Sequence, residues 1–343
     1  MASSDPGQRD GTIGIKEVAL AAGVSPGTVS NVLNRPERVA AATRARVMEV
    51  IGELGFVRNG SASSLRAGQG RLVGLMVHDL ANPFFTAMAA GVEDLMSERG
   101  YAVILCSSAT SVEREDRNLR MLAEQGVRGV LVTPVEDGRD RFRLLHERGI
   151  GTVMLDHAAT RPQQCSVTVD DVAGGHMAVT HLLERGARDI AYVSGPLSIR
   201  QCADRRTGAL QAIEQAGPPD AALREVEVPD LTPRSGQRAA ERLLAELPDA
   251  IFCANDLLAM GVLRELLQQG VRVPERVLLM GYDDIEFTTA SAVQLTSVRQ
   301  PTYQLGRIAA ELLLDECDDT GGHAHQQILF QPELVVREST TPA

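Results

Sequence analysis

Residues 15–34, IKEVALAAGVSPGTVSNVLN, decide how the N-terminal end of this chain folds. Ile15, Val18, Ala19 and Ala22 fall at i, i+3, i+4 and i+7, which gives a first short helix a single apolar face. Gly23 suits the tight turn that follows. Ser25 is then a natural N-cap, and Pro26 stands at the first helical position, where its missing N–H costs nothing. In the second helix Val29, Val32 and Leu33 face the core, which leaves Pro26, Gly27 and Asn31 on the outward side. Two short helices joined in this way read either as an ordinary helical hairpin or as a helix-turn-helix, whose second helix enters the major groove of DNA; the sequence downstream favours the second.

Downstream, residues 41–54 read as a third helix with Val47, Val50, Ile51 and Leu54 on its apolar face and Gly55 as its stop. Arg44 and Arg46 on this helix are candidates for phosphate contacts. The run NGSASSLR, 59–66, is too short to be a stable helix alone and would order only against a partner; 67–70 form a Gly-containing linker. From Leu72 the pattern changes to apolar strands (72–77, 101–106, 129–134, 152–156, 189–195, 250–256, 277–284) separated by helical stretches such as 112–125, 172–184 and 257–269. Continuous apolar strands with helices between them predict parallel sheets covered on both faces, and the number of units predicts two sheets. Ligands of such folds sit at the carboxyl ends of the strands.

The 343 residues, 44% hydrophobic and 23% charged, are those of an ordinary globular protein of two or three domains. No apolar run reaches the length of a membrane span and the first residues are polar, so the chain is expected to stay in the cytoplasm with no membrane partner. Five scattered cysteines without a C-x-x-C pair fit reduced thiols. His323 and His325 form an H-x-H in a Gly-rich segment with no further ligand nearby in sequence, which reads as a solvated loop, and no metal is expected. The net charge of −11 is unevenly spread: residues 1–70 hold eight Lys/Arg against six Asp/Glu, net +2, leaving −13 for the rest. Phosphate contacts are local, so this mildly basic head is compatible with DNA, with affinity resting on groove contacts and on doubling of the head. The chain lacks a phosphate-binding G-x-x-x-x-G-K-[ST] loop, Gly68-x-Gly70 precedes a strand instead of following one, and no nucleophile–base motif stands out. An enzyme is therefore not expected, nor a cofactor.

These features together resemble the lactose/galactose repressor family of bacterial transcription regulators over almost the whole chain. The resemblance is carried by EVALAAGVSPGTVSNVLN at 17–34, TRARV at 43–47, ELGF at 53–56, SLR at 64–66, NPFF at 82–85, ND at 255–256 and GYDDI at 281–285, in the family's order. It implies an α/β protein with an N-terminal all-α helix-turn-helix head joined by a hinge to a two-lobed, periplasmic-binding-protein-like core of two parallel sheets. The expected boundaries are an N-terminal tail at 1–12, the head at 13–58, hinge helix and linker at 59–70, and the core at 71–340. Lobe 1 would take about 71–168 and 296–327, lobe 2 about 169–295 and 328–340, with crossings near Thr168, Leu295 and Gln327.

By the same resemblance Ser25, Pro26, Gly27, Thr28, Ser30, Asn31, Asn34, Arg44, Asn59 and Leu65 would meet double-stranded operator DNA. Asn31 stands where the family commonly has arginine; asparagine pairs with adenine where arginine prefers guanine, so a different operator base is expected there. Leu65 matches the hinge leucine that wedges into the minor groove. The effector, a small sugar such as a monosaccharide, would be met by Asp79, Asn82, Phe84, Phe85, Asp156, Arg200, Asn255, Asp283 and Gln300, with Asp284 structural. The arginine is ambiguous: counting from Gly195 gives Arg200, counting back from Gly208 gives Ala203, and Arg205 or Arg206 could substitute. Asn82-Pro83 also reads simply as a turn into a helix whose phenylalanines are core. The implied function is that of a homodimeric, ligand-responsive repressor; purines act as corepressors in some members, so the sign of the response stays open.

Overall fold

The computed structural model describes residues 13–56, 70–136, 141–318 and 323–341. The chain divides into two compact units, 1–69 and 70–343.

In the first unit, α1 (Ile15–Ala21), α2 (Pro26–Asn34) and α3 (Ala41–Leu54) enclose Val18, Ala19, Ala22, Val29, Val32 and Val47. Gly23 adopts φ 63°, the left-handed turn between α1 and α2, and the Ser25 hydroxyl accepts the Thr28 amide at 3.1 Å as the α2 cap. Gly55 closes α3 at φ 61°.

In the second unit, β1 (Leu72–Val77), β2 (Ala102–Ser107), β3 (Gly129–Val132), β4 (Gly151–Leu155), β5 (Cys165–Val169) and β11 (Gln327–Phe330) form one sheet in the order β11-β5-β4-β3-β1-β2, parallel throughout. The other sheet, β12-β10-β9-β8-β6-β7, contains β6 (Asp189–Ser194), β7 (Ala222–Glu227), β8 (Ala250–Cys253), β9 (Leu278–Asp283), β10 (Thr296–Arg299) and β12 (Glu333–Val335), with only β12 antiparallel. The central strands of each sheet are apolar on both faces because both faces are covered. On β1, Val73, Leu75 and Val77 pack under α4 (Pro83–Glu98) and α11 (Thr302–Asp318), while Met76 packs on the opposite side with α5 (Val112–Glu124) and α6 (Arg143–Glu147). A third core fills the second lobe around Tyr192, Phe252 and Tyr282, beneath α7 (Asp171–Glu184), α8 (Arg200–Ala216), α9 (Pro233–Leu243) and α10 (Asp256–Gln268).

Helices pair through reciprocal glycines. A methyl group on Gly91 would collide with the Tyr303 carbonyl and one on Gly306 with that of Met88, so α4 and α11 touch backbone to backbone. Gly175 and Gly208 do the same for α7 and α8, and Gly236 and Gly261 for α9 and α10.

The chain passes between the sheets after β5, after β10 and after β11. The second and third crossings therefore follow strands that the sequence boundaries place beyond them. Residues 296–299 pair with β9 in the second sheet rather than joining lobe 1, and 328–330 pair with β5 in the first. The signal was missed because each strand is only four residues long.

Candidate functional site

The two sheets present their carboxyl ends to a shared cavity of about 440 Å³. From the first lobe come His78 and Asp79, which follow β1, then Asn82, Phe84 and Phe85 at the start of α4, and Asp156 at the end of β4. From the second lobe come Gln201 and Arg205 on α8, Leu231, Asn255 before α10, and Asp283 at the end of β9. Asp156 and Asp283 adopt positive φ, 53° and 105°, unusual for non-glycine residues and found where a fold holds a polar side chain at a ligand.

NPFF is a turn into a helix whose phenylalanines are core, and the same residues line the cavity. Asn82 caps α4, its carbonyl oxygen accepting the Phe84 amide at 3.0 Å. Phe84 and Phe85, edge-to-face at 5.0 Å between centroids, belong to the first-lobe core and also line the cavity. Asn255 likewise caps α10 through Leu258 while its amide reaches the Leu231 carbonyl.

Arg205 is the buried cation of this site. Its Nε donates to Asp171 Oδ1 at 2.8 Å, its Nη2 lies 3.8 Å from Asp283 Oδ1, and its guanidinium stacks 3.6 Å above the Tyr282 ring. Arg200, the arginine expected here with Arg205 only as a substitute, is absent from the wall of this cavity: it is half-exposed, pairs with Asp204 one turn away, and lines an adjoining recess of about 180 Å³. The reason is helical phase. Gln201, Cys202, Arg205, Gly208, Ala209 and Ala212 make up the buried face of α8, and Arg200 with Asp204 lies off it. Gln300 is not on the wall either; it donates to Asp283 Oδ1 at 2.8 Å and so orients that carboxylate.

Gln201, which the sequence did not point to, bridges the lobes, its amide donating to both the backbone carbonyl (2.7 Å) and Oδ2 (3.0 Å) of Asp156. Asp156 Oδ1 is buried and unpaired, an acceptor aimed at whatever fills the space. Burial pushes the Asp156 carboxyl well up, with Asp171 adding to the rise and Arg205 opposing it. Burial likewise lifts Asp283 to about 7, with Arg205, Gln300 and Asn82 holding it down. His78 is pushed down to about 4 by burial and by His157, so it is neutral at physiological pH. Such a wall, carboxylate and amide acceptors with one arginine and two phenylalanines, can take several hydroxyl groups and one apolar face.

Asp284 turns away from the cavity, pairing with Arg299 and Arg337 at 2.7 Å each, which depresses its carboxyl despite burial. Asp256 is structural too, accepting the Ser297 hydroxyl and the Ile285 amide.

In the first unit Pro26, Gly27 and Asn31 are exposed along α2 as the helical phase requires, with Ser25 at its start and Thr28 and Ser30 half-buried beside them. Asn34 folds back onto the Ser30 carbonyl at 2.9 Å, and Arg44 is exposed on α3. Asn59 and Leu65, and with them the hinge at 59–69, lie outside the described residues. Among the described residues no helix is long and apolar enough to cross a membrane.

Comparison with known proteins matches residues 14–59 to the bacterial regulatory proteins of the lacI family and 179–340 to a periplasmic binding protein-like domain. The chain is 33% identical over 335 residues to the HTH-type transcriptional repressor PurR of Aliivibrio fischeri, covering 95% of this chain and 98% of that one. Among solved structures it is similar to a complex of the transcriptional regulator CelR with cellobiose (33% identity, TM-score 0.71, 95% of this chain and 99% of that one). It is also similar to the Lac repressor dimer bound to operator and the anti-inducer ONPF (27% identity, TM-score 0.83, 97% and 100%).

Proposed function

We propose, from the premise that this chain belongs to the lacI family of bacterial regulatory proteins, that it is a cytoplasmic homodimeric repressor whose affinity for a palindromic operator is set by a small neutral sugar in the cleft. The observation that carries the sugar is the wall itself. Asp156 Oδ1 is unpaired and Asp283 is held ready by Gln300, so two carboxyl groups face the space with lone pairs to offer. Sugar hydroxyls supply the missing donors, and a phosphorylated ligand would meet carboxylates where it needs cations. Phe84 and Phe85 offer the apolar face on which a sugar ring rests. The recess lined by Arg200 shares His78, Thr110, Ser198, Ile199 and Gln201 with the main cavity, which leaves room for a second ring.

In this reading Pro26, Gly27 and Asn31 face the base edges, Ser25, Thr28, Ser30, Asn34 and Arg44 the backbone, and Asn59 and Leu65 act from the hinge. A CelR complex holding cellobiose and regulators holding ribose are similar structures, which supports a sugar. Ligand and operator then affect one another reciprocally through the two lobes. Thermal unfolding across pentoses, hexoses, cellobiose, sugar phosphates and purines tests the effector. A ligand at a hundred times its dissociation constant stabilises by about 2.7 kcal/mol, a readable melting shift. A shift with a neutral sugar that Asp283→Ala abolishes supports the reading; a shift with a purine alone overturns it.

A further inference from the structure

Away from the cleft, four side chains from two distant parts of the sequence meet in the first lobe. Cys165 opens β5 and is fully buried, Glu316 sits near the end of α11, and His323 and His325 precede β11. Their ligand atoms all lie within 4.8 Å of one another. Cys165 Sγ is 3.1 Å from His323 Nε2 and 3.7 Å from His325 Nδ1, and His325 Nδ1 is 4.0 Å from Glu316 Oε2. The H-x-H is thus more than a solvated loop: Cys165 reaches it from 158 and 160 residues away in sequence, where spacing could not reveal it, and Glu316 from the helix just before it.

We propose that Cys165, Glu316, His323 and His325 form a mononuclear site for a zinc-class divalent cation. A tetrahedral ion with bonds of about 2.0–2.3 Å needs ligand atoms roughly 3.3–3.8 Å apart. The two sulfur–imidazole distances already lie close to that range, and the carboxylate, 4.0 Å from His325, has to close in. One thiolate, two imidazoles and one carboxylate carry two negative charges, which a divalent ion neutralises. Sulfur with nitrogen selects zinc-like ions over magnesium or calcium, which take oxygen. The site is also supported from behind. Thr152 donates its amide to Glu316 Oε1 at 3.2 Å, the Gln326 amide points to Cys165 Sγ, and Glu316 Oε2 is buried with no hydrogen-bond partner, the atom left for a metal. The ion would tie the end of α11 and the lead-in to β11 onto β5.

The test is to strip the full-length protein with chelator, titrate it with Co(II), and then displace the cobalt with Zn(II). The expected result is one equivalent of tightly bound Co(II) with intense tetrahedral visible bands and a thiolate-to-cobalt charge-transfer band, all removed by zinc. Cys165→Ser should abolish the charge-transfer band, Cys317→Ser should leave it, and His323→Ala/His325→Ala should weaken binding at least a hundredfold. Should Cys165→Ser fail to fold, the histidine pair decides, since neither ring is buried. Absence of the thiolate band in the unaltered protein, its survival in the double histidine variant, or the weak bands of an octahedral surface site would each overturn the proposal.

Discussion

Asp283 carries the most chemistry of any single side chain here. Folding raises it from the ordinary 3.8 to about 7, so between those values the folded protein holds a proton that the unfolded chain releases. Its contribution to stability therefore falls as pH rises from about 4 to about 7 and is flat above. Asp156 and Asp171, raised as well, share this slope, with Arg205 opposing them. Urea unfolding of the ligand-free protein should show Asp283→Asn gaining on the unaltered chain across that window; parallel curves would contradict it. Hydroxyl donors favour the ionised form, so effector affinity should weaken as pH drops through 7, as a calorimetric titration would show. On the head, Asn31→Ala should cost about 1–3 kcal/mol at the preferred base and relax selection at one position per half-site; an unchanged site-selection profile would remove Asn31 from base reading. At this scale the sequence was legible where a residue type stood at a strand end, as with Asp156, Asp283 and Asn255. It was not where two arginines five residues apart competed: α8's buried phase, which selects Arg205, depends on packing as much as on pattern.

The elements were read well where periodicity was strong. β1, α5 and α10 fall within a residue of their sequence bounds, because continuous apolar runs and capped amphipathic segments signal themselves. The short β10, β11 and β12 were missed since three or four residues have no periodicity to read. Glycine carries different consequences in different helices. Gly306→Ala places a methyl against the Met88 carbonyl and should destabilise by about 1–3 kcal/mol or more, since two backbones cannot part without moving a whole helix. Gly52→Ala on α3 meets nothing within 4 Å and should stabilise the head by roughly 0.5–1 kcal/mol. Denaturant midpoints of the two variants should move in opposite directions; a shared direction would dismiss the backbone contact as the cause.

For the whole molecule, the division at 69/70 predicts a separable core. A chain beginning at Gly70 should keep its ligand-induced melting shift and lose its operator complex in a mobility assay; retention of DNA binding would move the binding surface off the head. The two-sheet architecture was legible because alternating strands and helices leave few alternatives, whereas the sites that join remote segments, Gln201 with Asp156 and Cys165 with His323, exist only after folding. The three passages between the sheets also bear on how such proteins diversify. Since neither lobe is one continuous stretch, a single genetic exchange inside residues 71–341 leaves at least one lobe stitched from two parents, with a core that never co-evolved. An exchange at the 69/70 boundary transfers a head intact. New pairings of operator address and effector response can thus arise in one recombination event, while a new preference within one core is left to point mutation.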